Sequence, residues 1–337
     1  MNKHRTSLKD LAEELGVSIA TVSRALRNSH EVGEEMRRKV KELARLRNYR
    51  PNPFAQGLRK EAPKVIGVIL PNLRSSYYAA VLDSIEAYAL ERGYSVISTN
   101  SREDTEVEKK AVENFLNLHV EGIIACLAQT TKNYDHFLQL EELGVPMVFF
   151  ARCCLEDKFS RVIAAGESAA EEATRHLIES GCRRVAFIAG PNHLDMVRRR
   201  KHGYLEALKA YKIPIDRDII YCNRVSLQSA KQVIKDMLTG PNPPDGILAY
   251  NDIITYASVA AIRETGKRMP DDVSLIGFSF APFAPFLTPS LSTIVDRVQE
   301  EGEAAGELLF RQINGDRKVY KKVIPMNIII RESSKKK

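Results

Sequence analysis

The chain has 337 residues, 44% of them hydrophobic, with a formal net charge of +7. That length is too great for a single small domain, and no apolar run reaches the ~20 residues a bilayer-spanning helix needs. Five cysteines, an odd number that includes the adjacent pair Cys153 and Cys154, show no CxxC spacing and indicate neither a disulfide framework nor a zinc site.

A first helix is expected from Ser7, whose side chain can cap it while Asp10 reaches back. Leu8, Leu11, Ala12 and Leu15 follow at helical spacing and form a core stripe. Gly16 suits the left-handed residue that ends a helix, and Ser18 caps the next. In that second helix Val22, Ala25 and Leu26 face inward, leaving Ile19, Ala20, Ser23 and Arg24 on its exposed leading face. A third helix, Glu34 to Leu46, would bury Met36, Val40, Leu43, Ala44 and Leu46. Two short helices joined through a glycine turn form a helix-turn-helix, which sets its second helix in a major groove. Charge agrees: residues 1–62 hold 14 Lys+Arg and 8 Asp+Glu, a balance of +6, so the other 275 residues carry only +1. Basic charge concentrated in this way suits phosphate neutralisation.

The segments Ser7-Leu8-Lys9-Asp10-Leu11-Ala12, Gly16-Val17-Ser18, Thr21-Val22-Ser23-Arg24-Ala25-Leu26, Val32-x-Glu34-Glu35-x-Arg37 and Asn48-Tyr49-Arg50-Pro51-Asn52 resemble the headpiece of LacI/GalR-family transcriptional regulators. The resemblance continues to the end of the chain. It implies a headpiece over residues 1–50, a hinge over 51–63 and an effector-binding and dimerisation core over 64–337. Candidate DNA contacts are Ser7, Leu8, Ser18, Ile19, Ala20, Thr21, Ser23, Arg24 and Arg27, with Ile19, Ala20 and Arg24 against base edges and Ser18, Thr21 and Ser23 near phosphates. Leu58 takes the place of the family's minor-groove wedge. Gly57 before it departs from the larger residues usual there and costs a short helix roughly 1 kcal/mol relative to alanine.

From Lys64, short β-branched runs alternate with helical patterns. Strands are expected at Lys64–Pro71, Tyr94–Ser101, Gly122–Ala128, Pro146–Arg152, Arg184–Ala189, Gly246–Tyr250 and Val273–Phe278. Helices are expected at Tyr78–Arg92, Glu106–Leu118, Ala169–Ser180, Arg199–Ala210 and Ile254–Thr265. This alternation predicts an α/β fold of doubly wound parallel sheets in two lobes. Lobe one is expected at about 64–160 plus 291–320, and lobe two at about 161–290 plus 321–331. The resemblance implies a periplasmic-binding-protein-like core with an effector in the inter-lobe cleft, and matching its motifs gives Tyr77, Tyr78, Arg152, Arg200, Asn251, Asp252 and Ser279 as candidate contacts. Where sugar-binding members carry carboxylates, Ala151, Ala165 and Ser279 stand here. With Arg152 and Arg200 facing few acids, the ligand expected is a sugar derivative or a carboxylated or phosphorylated metabolite.

No Gly-rich phosphate loop, HExxH helix or Gly-x-Ser-x-Gly elbow occurs, and His119, His136 and His176 lack partners at ligand spacing. Neither enzyme activity nor a metal or cofactor is expected. A last strand near Ile328 is followed by a basic tail without a leucine heptad, so a homodimer is expected, not a tetramer. No signal-peptide pattern opens the sequence, and the expected location is the cytoplasm, on the nucleoid. The expected partners are double-stranded operator DNA and a small-molecule effector. Control by a protein partner, and a solute-binding protein serving a transporter, stay open as alternatives.

Overall fold

The computed structural model describes residues 6–47, 49, 64–223, 226–279 and 282–335, and the chain divides into units at Met1–Pro63 and Lys64–Lys337. The expected hinge segment, with Gly57 and Leu58, lies outside the described residues.

The first unit holds α1 (Leu8–Leu15), α2 (Ile19–Leu26) and α3 (Glu34–Leu46). Leu11, Ala12, Val22, Ala25, Val32, Val40 and Ala44 form its core, with Leu8, Leu15, Leu26, Met36 and Leu43 packed around them. Gly16 ends α1 at φ 64°, a conformation that suits glycine because it has no Cβ. Leu46 departs from expectation. It is 74% exposed, because it falls in the final turn of α3, past the last buried position, Ala44.

The second unit carries two six-stranded sheets. The first is ordered β2-β1-β3-β4-β5-β11, from β1 (Val65–Leu70), β2 (Ser95–Asn100), β3 (Gly122–Ala125), β4 (Met147–Phe150), β5 (Ser160–Ala164) and β11 (Lys321–Ile324). The second, ordered β7-β6-β8-β9-β10-β12, uses β6 (Val185–Ala189), β7 (Ile220–Cys222), β8 (Gly246–Ala249), β9 (Ser274–Phe278), β10 (Ser292–Asp296) and β12 (Met326–Ile329). All pairs are parallel except β10 with β12. Such sheets need cover on both faces. In the first lobe it comes from α4 (Ser76–Leu90), α5 (Thr105–Asn117), α6 (Asp135–Glu142) and α11 (Val298–Ile313). In the second it comes from α7 (Gly166–Glu179), α8 (Asp195–Ala210), α9 (Leu227–Thr239) and α10 (Asp252–Glu264). Among the described residues no helix is long and apolar enough to cross a membrane.

The lobe boundaries differ from the sequence expectation. Ser160–Ala164 pairs in parallel with β4, and β11 pairs with it in turn, so residues 161–164 and 321–324 complete the first sheet. Conversely, β10 pairs with β9 and belongs to the second lobe. The chain thus passes between sheets three times, at Ala165, Arg297 and Pro325. Which sheet a β-branched run joins is decided by non-local pairing, which local periodicity does not encode.

Where α7 lies against α8, a Cβ on Gly203 would sit 2.0 Å from the Glu167 carbonyl oxygen. The obstacle is backbone, which cannot rotate away. Gly203→Ala should therefore destabilise the core by about 1–3 kcal/mol despite alanine's better helix propensity. Thermal unfolding checks this, with a fall of about 2–4 °C per kcal/mol expected.

Candidate DNA-reading surface and inter-lobe cleft

In the headpiece the expected caps form. Ser7 Oγ accepts from the Asp10 amide at 3.3 Å while the Ser7 amide donates to Asp10 Oδ2 at 2.7 Å, and Ser18 Oγ accepts from the Thr21 amide at 3.1 Å. With Val22 and Ala25 buried, α2 has one orientation left to it. Ile19 (48% exposed), Ala20, Arg24 and Arg27 face outward, Ser7 and Ser18 are exposed, and Leu8, Thr21 and Ser23 are half-buried. The Thr21 hydroxyl is engaged with that of Ser18 at 2.9 Å. Arg24 Nε lies 3.0 Å from Glu31 Oε2. Glu31 lies in the loop beyond Leu26, the last residue of α2, where helical spacing no longer dictates which side chains meet.

The core candidates follow the carboxyl ends of strands, where ligands of open α/β sheets sit. Tyr77 and Tyr78 come after β1, Arg152 after β4, Asn251 and Asp252 after β8, and Ser279 after β9. Their environments differ. Tyr78 is buried, meets Phe150 edge-on at 6.4 Å, and its phenol is pushed well up by burial. Tyr77 donates to Glu301 Oε2 at 2.5 Å. Arg200, 5% exposed, donates from Nη1 to the Tyr250 carbonyl at 2.6 Å and stacks 3.7 Å over the Phe278 ring. Asn251 spends its side-chain oxygen capping α10, accepting from Ile254 N at 3.0 Å. Asp252 accepts from Ser279 Oγ at 2.5 Å and, from the other lobe, Ser75 Oγ at 3.1 Å.

Further polar contacts cross the cleft, from His193 Nε2 to the Gln129 carbonyl at 2.8 Å and from Arg199 to Glu156 at 3.3 Å. A cavity of about 220 Å³ is lined by Thr131, Tyr134, Arg152, Glu156, His193 and Arg198 among others. Of the seven expected effector contacts it includes Arg152 alone. Beside Arg200, between Ala151, Gly166 and Met196, the space is only about 10 Å³, room for a single water.

One expectation loses its basis here. Arg152 is not short of acids: its guanidinium forks onto Glu103 at 2.7 and 3.1 Å and donates a third bond to the Leu127 carbonyl. Arg200 is likewise faced by Asp296 and Glu301. Glu103, Asp296 and Glu301 were missed because a charged residue in a polar stretch reads as surface, and their approach to the arginines depends on loops and on a return of the chain. Among the described residues no cluster of His, Cys, Asp or Glu is arranged to hold a metal ion.

Comparison with known proteins agrees with this geometry. Residues 7–52 match the bacterial regulatory proteins of the lacI family, and residues 174–334 match the periplasmic binding protein-like domain. The chain is 32% identical over 303 residues to the ribose operon repressor of Bacillus subtilis (strain 168), covering 90% of each. It is 28% identical over 333 residues to a ribose operon repressor of Halalkalibacterium halodurans, covering 98% of this chain and 97% of the relative. Among solved structures, the lac repressor dimer bound to operator and the anti-inducer ONPF is similar at a TM-score of 0.81 and 26% identity, over 98% of this chain and 99% of that one. A capped helix-turn-helix, two lobes of matching strand order and relatives that span nearly the whole chain converge: the protein belongs to the lacI family of bacterial regulatory proteins.

Proposed function

We propose that the protein is a transcriptional repressor that reads a two-fold-symmetric operator as a homodimer in the cytoplasm, on the nucleoid, and is controlled by a small molecule in the inter-lobe cleft, with no catalytic step. The observation that carries the reading is the outward face of α2, where Ile19, Ala20 and Arg24 are free of the headpiece core within the most basic part of the chain. The dimeric, operator-bound state of the similar lac repressor structure supports the assembly.

Arg24 offers a planar fork to guanine O6 and N7, while Ile19 and Ala20 give apolar contact suited to a thymine methyl. Ser18, Thr21 and Ser23 lie by the phosphates with Ser7, Leu8 and Arg27. Glu31, paired with Arg24, limits the directions its guanidinium takes before DNA arrives. Leu58 serves as the wedge. On the core, Phe283 and Phe286, 71% and 81% exposed, are the apolar side chains offered to a second copy.

In the cleft, Asp252 offers an acceptor and Arg200 a donor, with Tyr77, Tyr78, Asn251 and Ser279 close by and Arg152 at the larger cavity. A carboxylate acceptor suits a hydroxyl-bearing ligand, and the ribose operon repressors among its relatives point the same way. The ligand acts on DNA affinity only through its differential affinity for two lobe arrangements.

Arg24→Ala is expected to relax base preference at one position of each half-site, at roughly 1–3 kcal/mol, measured by binding to a randomised duplex library; an unchanged preference removes Arg24 from this role. Replacing Phe283 and Phe286 together with serine should shift the chain from dimer toward monomer in sedimentation, and an undiminished dimer would place the contact elsewhere. Titration calorimetry with neutral pentoses and hexoses and with their phosphates should give heat with neutral sugars; binding confined to the phosphates would contradict the assigned ligand class.

A further inference from the structure

At the second of the three crossings, two carboxyl groups from different lobes come together, one of them buried and the other half-buried. Asp296 ends β10 in the second lobe, and Glu301 lies in the first turn of α11 in the first lobe. Glu301 is 1% exposed and Asp296 half-buried, and the two carboxyl groups lie close enough for each to act on the other's charge; carboxyl oxygens in contact hydrogen-bond only when one of the two groups carries a proton. Tyr77 donates to Glu301 Oε2, but Oε1 is buried with no protein donor facing it. A buried carboxylate oxygen left without a donor is costly, and a proton held between the two groups supplies the missing one.

The surroundings of the pair are mixed in sign. From α8 comes the Arg200 guanidinium, from the start of α10 the Asp252 carboxylate, and from α4 the Tyr77 phenol with the Cys126 thiol behind it. On their own segment Arg297 and Glu300 pair with each other at 3.3 Å, and Arg297 also donates to Asn327. Arg200 offsets one negative charge in this group. It does not offset Asp252, Asp296 and Glu301 at once.

We propose that Asp296 and Glu301 form a proton-sharing latch, tying the carboxyl end of β10 in one lobe to α11 in the other, so that the arrangement of the lobes responds to pH. Burial, its leading cause, lifts Asp296 to about 6 and Glu301 well above the usual carboxylate range. Groups raised in this way give their full stabilisation below the ordinary carboxyl range and lose it as pH rises through the raised values. The latch is therefore shut in acid, keeps one shared proton after the first step of the pair's titration, and opens when the second proton leaves and two carboxylates face each other. The latch concerns the lobes themselves and stands whichever ligand the cleft takes.

The test is hydrogen exchange by mass spectrometry on the full chain from pH 5 to 9, corrected for the intrinsic pH dependence of exchange. In the wild type, protection of peptides spanning 292–304 should fall by up to about tenfold per pH unit above the pair's upper pKa, since one unit is a factor of ten in the equilibrium, while peptides of α1 to α3 stay flat. Glu301→Gln, which keeps the shape and a donor for Asp296, should abolish the fall and retain protection at high pH. Asp296→Asn should do the same, and serves if Glu301→Gln does not fold. A flat wild-type profile, or either folded variant tracking the wild type, overturns the proposal.

Discussion

The first sheet of the core is complete only after the chain has crossed between the sheets twice, and the second only after a third crossing, and that constraint governs everything placed at the cleft. β11 closes the edge of the first sheet and β12 that of the second, although one residue, Pro325, separates them in sequence. Each lobe is thus closed by strands supplied through the crossings. The lobes can move only by bending backbone at Ala165, Arg297 and Pro325, close to where Asp296, Glu301, Arg200 and Asp252 meet. Side chains at those crossings experience any change of lobe arrangement directly. The contact of Ser75 with Asp252 spans the two lobes, so a shift of one against the other would weaken it.

The headpiece depends on a smaller constraint of the same kind. Serine caps fix where α1 and α2 begin, and seven buried side chains fix how they are rotated. Once Val22 and Ala25 are committed to the core, the 3.6-residue period leaves Ile19, Ala20 and Arg24 outside. The proposed DNA-reading face is the remainder after packing, which is why a short run of residues specifies it.

What was legible in the sequence follows the same packing rule. Caps, helical stripes and strand-helix alternation are local patterns, and the headpiece helices and both sheets follow them. Arg200 was legible as a candidate only through its match to the family, since Arg198 and Arg199 beside it look alike in sequence, yet it alone of the three is buried. Lobe membership of 160–164, 292–296 and 321–324 was not legible, because it is fixed by pairing partners more than a hundred residues apart for β5 with β11. The forked pair of Arg152 with Glu103 and the burial of Glu301 were hidden for a related reason. In both, a charge is neutralised or sheltered by a segment distant in sequence, and a polar residue carries no local mark of that fate.

Most of the net positive charge falls in residues 1–62, so non-specific attraction to DNA is expected from electrostatics alone and weakens with salt. Sequence preference is what distinguishes the outward face of α2 from a merely basic surface. The direct measurement is selection by the intact chain from a pool of random duplexes at physiological salt, followed by sequencing. Enrichment of a two-fold-symmetric site with two half-sites is expected; recovery of unenriched DNA, or of a single unpaired half-site, would contradict operator reading by a dimer.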